Sequence, residues 1–321
     1  MKYNLKKKYI KIGNKKIGFN YPCFIIAELS CNHNQNYQIA KKTIKAIAKT
    51  GADAVKLQTA DPDKITINCK KKGFLLSDKG PWKGKTIYEL EKETFLPKKW
   101  HKSLIKEAKK LGLICFSSPF DLDAVKFLKN LNVPAYKVAS MEINDHELIA
   151  EIAKTKKPII ISTGVANENE IKEAISVCKK NGNNNIILLK CTSSYPTRLE
   201  DVNLNSIKNL QKKFKTIVGL SDHTKSTIAP IGAVALGARI IEKHFILNKK
   251  LKTQDAAFSI TPENFTDMVK KIRDLEKTFG NSKIEVTKSM RSSRKLLRSL
   301  YFVKKVKKNE KITRQNVRSI R

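Results

Sequence analysis

The chain has no apolar run that approaches the ~20 residues needed to cross a bilayer. Its longest apolar region, residues 228–241, is interrupted by Pro230, Gly232 and Gly237, which excludes a membrane span. Lysines crowd the N-terminus, but no apolar core follows them, and this argues against a secretory signal. Cysteine is sparse. The six cysteines form no Cys-x-x-Cys pair and no regular spacing, as expected of free thiols in a reducing cytoplasm. Acidic residues are also few: 29 Asp and Glu stand against 65 Lys and Arg, a formal charge of +36. Such a charge raises nucleic acid as a partner. Yet the chain lacks basic stretches interleaved with aromatics, RNP-like motifs and a basic recognition helix. Its lysines are spread through nearly every helical pattern, as in residues 39–51 (IAKKTIKAIAKTG) and 101–112 (HKSLIKEAKKLG). With the abundance of Asn and Ile, this matches compositional drift from AT-rich coding DNA. A basic RNA-binding protein is therefore kept only as the reading from another class.

What is present is rhythm. The 321 residues, 40% of them hydrophobic, suffice for one large α/β barrel with an appendage. Residues 7–19 predict a short hairpin around Gly13-Asn14. Strand-length apolar runs then start at Phe24, Ala54, Leu113, Ala135, Pro158, Asn185, Thr216 and Arg239. Helical patterns separate them, each closed by Gly or Pro. Alternation of this kind implies a parallel sheet, and eight repeats imply a closed (β/α)₈ TIM barrel. An open doubly wound sheet would advertise a Gly-rich phosphate loop after the first strand, and none is present. Residues 61–97 are too long for a simple connection and predict a lid or a subunit contact. The expected organisation is an N-terminal segment (1–23), the barrel (24–281), a linker (282–297) and the start of a β-rich module (298–321).

Barrel active sites form at the C-terminal ends of the strands, and here every strand starts apolar and ends polar. The ends carry Glu28, Lys56 with Gln58, Ser117 with Ser118, Lys137 with Ser140, and Ser162 with Thr163. The later ones carry Lys190 with Thr192, Ser221 with His223, and Glu242 with His244. Lysines inside apolar strands would repel one another at a common mouth unless an anion sat among them, and with hydroxyls they suit phosphate or carboxylate. Histidines ending the last two strands become neighbours, and such a pair suits a divalent metal with open positions. The oxygen-rich surroundings favour Mn²⁺ or Mg²⁺, with Zn²⁺ or Co²⁺ as alternatives. Of the other histidines, His33 is expected to face the mouth, His101 to be solvated in its Lys-rich helix, and His146 to cap a helix start.

These residues resemble the sialic acid synthase family, the phosphoenolpyruvate-dependent nonulosonic acid synthases. The matching stretches are AELSCNHN from Ala27, GADAVKLQT from Gly51, CFSSPF from Cys115, AYKVASMEIND from Ala135 and ISTGVA from Ile161. LKCTSSYPT from Leu189, GLSDHT from Gly219, ALGARIIEKHF from Ala235 and TQDAAFS from Thr253 continue in the same order. The resemblance implies a transferase joining phosphoenolpyruvate to an N-acetylated amino sugar. It implies that His223 and His244 bind the metal, Mn²⁺ first, with Mg²⁺ or Co²⁺ possible, and that Glu242 holds a metal-bound water. Lys56, Ser118, Lys137, Ser140 and Ser221 would hold phosphoenolpyruvate. Glu28 would handle protons, and Asp255 and Tyr195 would meet the sugar. Ser193 stands where the sialic acid branch has an asparagine facing the phosphate.

Residues 74–93 (FLLSDKGPWKGKTIYELEKE) resemble the pseudaminic acid branch, which implies 2,4-diacetamido-2,4,6-trideoxy-L-altrose as the sugar; neuraminate or legionaminate synthesis is the alternative. Residues 298–321 resemble the first part of the family's antifreeze-like (SAF) domain, which reaches over the partner's barrel in a swapped homodimer. Arg321 aligns with an arginine that helps bind the partner's sugar there. On this reading the module is either truncated in this sequence or reduced in this protein, and weak or absent turnover by the 321 residues is expected. Among rival enzymes, a 3-deoxy-octulosonate-phosphate synthase would need a second phosphate cluster, which is not found, and a Schiff-base aldolase would be trapped by borohydride.

Overall fold

The structure is a computed structural model that describes residues 9–76 and 82–321. It divides into two compact units, Met1–Thr278 and Phe279–Arg321. In the first, β1 (Tyr9–Ile12) and β2 (Lys15–Gly18) pair antiparallel, with Ile10 opposite Ile17. Gly13 turns the hairpin at a φ of 57°, a backbone region that glycine enters without steric cost. Lys7 and Lys8, also assigned to this hairpin by sequence, lie outside the described residues.

Eight parallel strands follow: β3 (Phe24–Glu28), β4 (Ala54–Thr59), β5 (Ile114–Pro119), β6 (Tyr136–Val138), β7 (Ile159–Ser162), β8 (Ile186–Cys191), β9 (Ile217–Asp222) and β10 (Ile240–His244). They close into a barrel, β10 pairing with both β9 and β3. Each strand is buried on both faces, so its side chains divide by parity. One set, including Ile25, Val55, Val138, Ile161 and Leu188, packs outward against the helices. The other, including Phe24, Ile26, Phe116, Ile160, Ile187, Leu189 and Ile240, fills the interior together with Ile10, Ile12 and Ile17 of the hairpin. The hairpin thus stoppers the N-terminal end, and the opposite end is left for chemistry.

The surrounding helices are α1 (Tyr37–Ala48), α4 (Lys98–Lys110), α5 (Leu122–Asn130), α6 (His146–Lys154), α7 (Glu168–Lys180), α8 (Ser206–Phe214), α9 (Ile228–Ala235) and α10 (Pro262–Thr278). Their starts are written in the sequence. Asn36 accepts from the amides of Gln38 and Ile39, and Asn167 with Glu170 forms a reciprocal cap on α7. Helix α1 buries Ala40, Thr43, Ile44 and Ile47, one stripe at helical spacing, and each isoleucine so buried contributes roughly 2 kcal/mol.

The long β4–β5 connection is structured. It holds α2 (Pro62–Ile65) and α3 (Ile87–Thr94), the latter started by a capping box of Thr86 and Glu89. Residues 77–81, part of the stretch that suggested a branch, lie outside the described residues.

The second unit contains a short helix, α11 (Arg291–Arg294), and two antiparallel strands, β11 (Ser299–Phe302) and β12 (Val317–Ile320), with Leu300 opposite Ser319. Asn316 organises the turn before β12, accepting from the Thr313 amide at 2.8 Å and donating to the Lys311 carbonyl at 3.0 Å.

Candidate active site

Strand parity sets the site. Continuing the inward series past its apolar residues brings Glu28, Lys56, Ser118, Lys137, Ser162, Cys191, Ser221, Glu242 and His244 to the C-terminal end of the barrel interior. A cavity of about 690 Å³ opens there. Its floor is a buried charge network. Lys56 Nζ lies 2.7 Å from Glu28 Oε2 and 3.1 Å from Glu242 Oε1, and 3.5 Å from Ser118 Oγ. Lys137 Nζ lies 3.9 Å from Glu242 Oε1 and donates to the Val138 carbonyl at 3.0 Å. Ser221 donates to Glu242 at 3.1 Å, and Gln58 donates to Glu28 Oε1 at 2.8 Å.

Burial acts against all these charges, and the outcome depends on the neighbours. Burial would raise the Glu242 carboxyl, but Lys137 and Lys56 pull it down to about 2. For Lys56, burial is outweighed by Glu242 and Glu28, which hold its ammonium above the usual lysine range. Lys137 goes the other way, lowered by burial. Two cations and two carboxylates alternate here, and an incoming anion would compete for the lysines.

Next to this floor is a cradle. The Gly164 amide donates to Ser140 Oγ at 3.1 Å. A methyl group on Gly164 would fall 2.2 Å from Ser193 Oγ, 2.7 Å from Ser140 Oγ and 2.9 Å from Cys191 Sγ. Only a bare α-carbon leaves room between these groups. Ser193 Oγ and Ser162 Oγ are buried there without partners. Unpaired hydroxyls beside Lys137 are the donor set a phosphate or carboxylate would satisfy.

The two imidazoles face each other with ring centroids 5.2 Å apart. His223 Nδ1 is oriented by the Thr192 carbonyl at 3.3 Å, which leaves Nε2 for a ligand. Burial, and then His244, lower His223 to about 3, so at neutral pH it is the unprotonated form that binds metals. Burial also disfavours a charge on His244, but Glu28 and Asp255 outweigh it and raise its pKa. His244 Nε2 lies 3.6 Å from Glu28 Oε2, and its Nδ1 lies 3.3 Å from Asp255 Oδ2. Among the described residues no group of three or more His, Cys, Asp or Glu forms a ligand cage. The two imidazoles, with the unpartnered Glu242 Oε2 nearby, instead fit a divalent ion with open positions for water and substrate.

The outer part is aromatic and acidic. Tyr195 packs in tilted contacts against His223, Phe258 and Trp82 at centroid distances of 4.5, 5.1 and 5.3 Å. Asp255 accepts from Ser30 in a short hydrogen bond. Glu91 and Glu142 also line the cavity.

Several expectations are corrected. Lys190 does not join the mouth. Ile187, Leu189 and Cys191 are the inward residues of β8, so Lys190 faces the helices and donates to the Cys191 carbonyl at 2.6 Å and Thr192 Oγ1 at 3.0 Å. His33 is fully buried against Trp100, its Nδ1 accepting from the Gln35 amide at 3.0 Å, and it does not line the cavity. His101 is not solvated: it is buried, 2.8 Å from Thr59 Oγ1, and burial lowers it to about 4. The α6 cap is Asp145, which accepts from Leu148, and not His146.

Sequence reasoning also passed over four features. Gly164, Glu91 and Glu142 escaped it, because a gap or a cavity wall has no periodic signal. The fourth is a buried pair behind the site, where Lys243 binds Asp222 in a short contact and donates to the Thr224 carbonyl at 2.7 Å. Two charged residues in adjacent strands, at DH and KH, were its only trace.

Comparison with known proteins shows the family to which this barrel belongs. The pseudaminic acid synthase of Campylobacter jejuni subsp. jejuni serotype O:2 is 44% identical over 312 residues, 97% of this chain and 90% of that protein. The pseudaminic acid synthase of Helicobacter pylori is 44% identical over 301 residues, 94% and 88% of the two chains. A crystal structure of N-acetylneuraminic acid (sialic acid) synthetase from Leptospira borgpetersenii serovar Hardjo-bovis, in complex with citrate, superposes with a TM-score of 0.80 at 32% identity, covering 90% of this chain and 95% of that one. With the family profile matching residues 43–284, the chain belongs to the NeuB family.

Proposed function

We propose that the chain is a pseudaminic acid synthase, joining phosphoenolpyruvate to 2,4-diacetamido-2,4,6-trideoxy-L-altrose with release of inorganic phosphate. The observation that carries the reaction is the inner end of the cavity, where Lys56 and Lys137 stand beside unpaired hydroxyls and a bare Gly164. Phosphoenolpyruvate bears a phosphate and a carboxylate, the two groups such a floor would bind. The 44% identity to pseudaminic acid synthases of two organisms supports the sugar.

In this reading Lys56, Lys137, Ser118, Ser140, Ser193 and Ser221 hold phosphoenolpyruvate and offset the charge that accumulates during reaction. Tyr195 and Asp255 orient the open-chain sugar so that its aldehyde carbon meets the methylene carbon of phosphoenolpyruvate. His223 and His244 would hold a divalent ion, Mn²⁺ by preference, that withdraws electron density from the aldehyde oxygen. A carbon–carbon bond forms, and the aldehyde oxygen takes a proton from the site. Water adds to the former enol carbon, and the carbon–oxygen bond to phosphate breaks. Glu28, hydrogen-bonded to Gln58 and paired with Lys56, and Glu242 are the groups placed to hold or pass those protons. Lysines serve as cations, so no Schiff base forms.

The same reading carries a homodimer in which residues 298–321 belong to a SAF-type module reaching the partner's barrel, with Arg321 meeting the partner's sugar. It also carries a cytoplasmic location, supported by six free cysteines, five of them buried.

Phosphate release from phosphoenolpyruvate tests the proposal. Release, however slow, is expected with Mn²⁺ and the diacetamido sugar and is abolished by a chelator. Release with N-acetylmannosamine in its place would move the chain to the sialic acid branch. Release that ignores the chelator would refute the metal role.

A further inference from the structure

The outer wall of the cavity holds a carboxyl group that the reaction above does not use. Glu91 is carried by α3, not by a strand end, and lines the cavity. Among the described residues, only burial and two neighbouring carboxylates act on its carboxyl group, with no hydrogen bond or cation among these influences. Burial, and then the nearby Glu142 and Asp255 carboxylates, push it up to about 7. Glu142 is raised to about 7 by burial as well, and its Oε2 is buried without a partner. The wall around them is apolar, built from Phe74, Leu76, Ile87, Leu90, Phe120 and Met141. A carboxyl group in such surroundings costs free energy until a donor reaches it. None of the described side chains supplies one; water reaches the half-buried Glu91 in the open cavity, and a ligand that displaces this water has to bring a donor of its own.

The shape of the wall limits what that ligand offers. N-acetylmannosamine presents hydroxyls at C4 and C6, each needing water or polar partners. The diacetamido-trideoxy sugar presents a methyl at C6 and, at C4, an amide that pairs one N–H with a methyl. With its aldehyde carbon beside His223 and His244, as the substrate reading requires, the open chain would extend from the floor toward the outer wall, C4 further out than C2. We propose that Glu91 is a specificity-determining residue of the sugar site, accepting the N–H of the C4 acetamido group while the apolar wall takes its methyl. This rests on the substrate reading above and adds the residue that enforces it.

The test compares Glu91→Leu and Glu91→Gln with the unsubstituted enzyme, following phosphate release with each sugar at saturating phosphoenolpyruvate. Glu91→Leu removes the acceptor. It should raise KM for the diacetamido sugar about tenfold or more, because a site built to bond an N–H loses that discrimination without its partner. KM for phosphoenolpyruvate should stay unchanged. Glu91→Gln keeps a carbonyl acceptor and should recover most of the loss. If Glu91→Leu leaves the diacetamido KM unchanged, or impairs both sugars and phosphoenolpyruvate alike, the assignment of Glu91 is wrong while the substrate reading stands. If the unsubstituted enzyme prefers N-acetylmannosamine, the substrate reading fails and the Glu91 assignment falls with it.

Discussion

Glu242 is held down to about 2 although it is buried, because Lys137 and Lys56 stand beside it. Individual side chains in this site owe their state to such partners, and removing a partner matters more than removing area. The cradle at Gly164 turns on a single hydrogen atom. A Cβ there would lie 2.2 Å from Ser193 Oγ and 2.7 Å from Ser140 Oγ. Gly164→Ala therefore pushes aside the two hydroxyls proposed to hold a phosphate or carboxylate. Displacing both hydroxyls costs about 1–3 kcal/mol, which predicts a KM for phosphoenolpyruvate raised about tenfold. KM for the sugar should change little, as should the circular dichroism spectrum. An unaltered phosphoenolpyruvate KM would remove the cradle from the binding site.

At the scale of the elements, parity along buried strands decides what the chemistry can use. Strands buried on both faces show no apolar–polar alternation, so the sequence marks where β8 lies but not which way Lys190 points. The same parity that excludes Lys190 brings Lys56 and Lys137 inward and puts Lys243 and Asp222 outward behind the imidazoles. The eight strands were legible because turn residues bound each apolar run, and the paired histidines because they end consecutive strands. His101 was misread because its helix is Lys-rich, although His101, Leu104 and Ala108 form the buried stripe of α4. Glu91 could not be placed at all, since only the tertiary fold turns α3 toward the cavity. The Lys243–Asp222 pair ties β10 to β9 at His223. Lys243→Met leaves the Asp222 carboxylate buried with Thr224 alone. It should cost about 3 kcal/mol of unfolding free energy in urea, with Lys243→Met/Asp222→Leu recovering more than half. A single variant as stable as the parent would mean that the pair does not brace the site.

The whole molecule separates stability from chemistry. The hairpin closes one end of the barrel with Ile10, Ile12 and Ile17. The other end grades from a floor of paired lysines and carboxylates to an acidic, apolar wall, as two different substrates meeting in one cavity require. The charge of +36 adds a field that draws anions toward the molecule, in keeping with phosphoenolpyruvate as one of them. The measurement that bears most directly on this account follows the methylene carbon itself. With [3-¹³C]phosphoenolpyruvate, Mn²⁺ and the diacetamido sugar, NMR should show the label in a methylene group bonded to a former aldehyde carbon, appearing in step with inorganic phosphate. Label recovered in pyruvate, or left in phosphoenolpyruvate while phosphate accumulates, would contradict carbon–carbon condensation as the activity of this barrel.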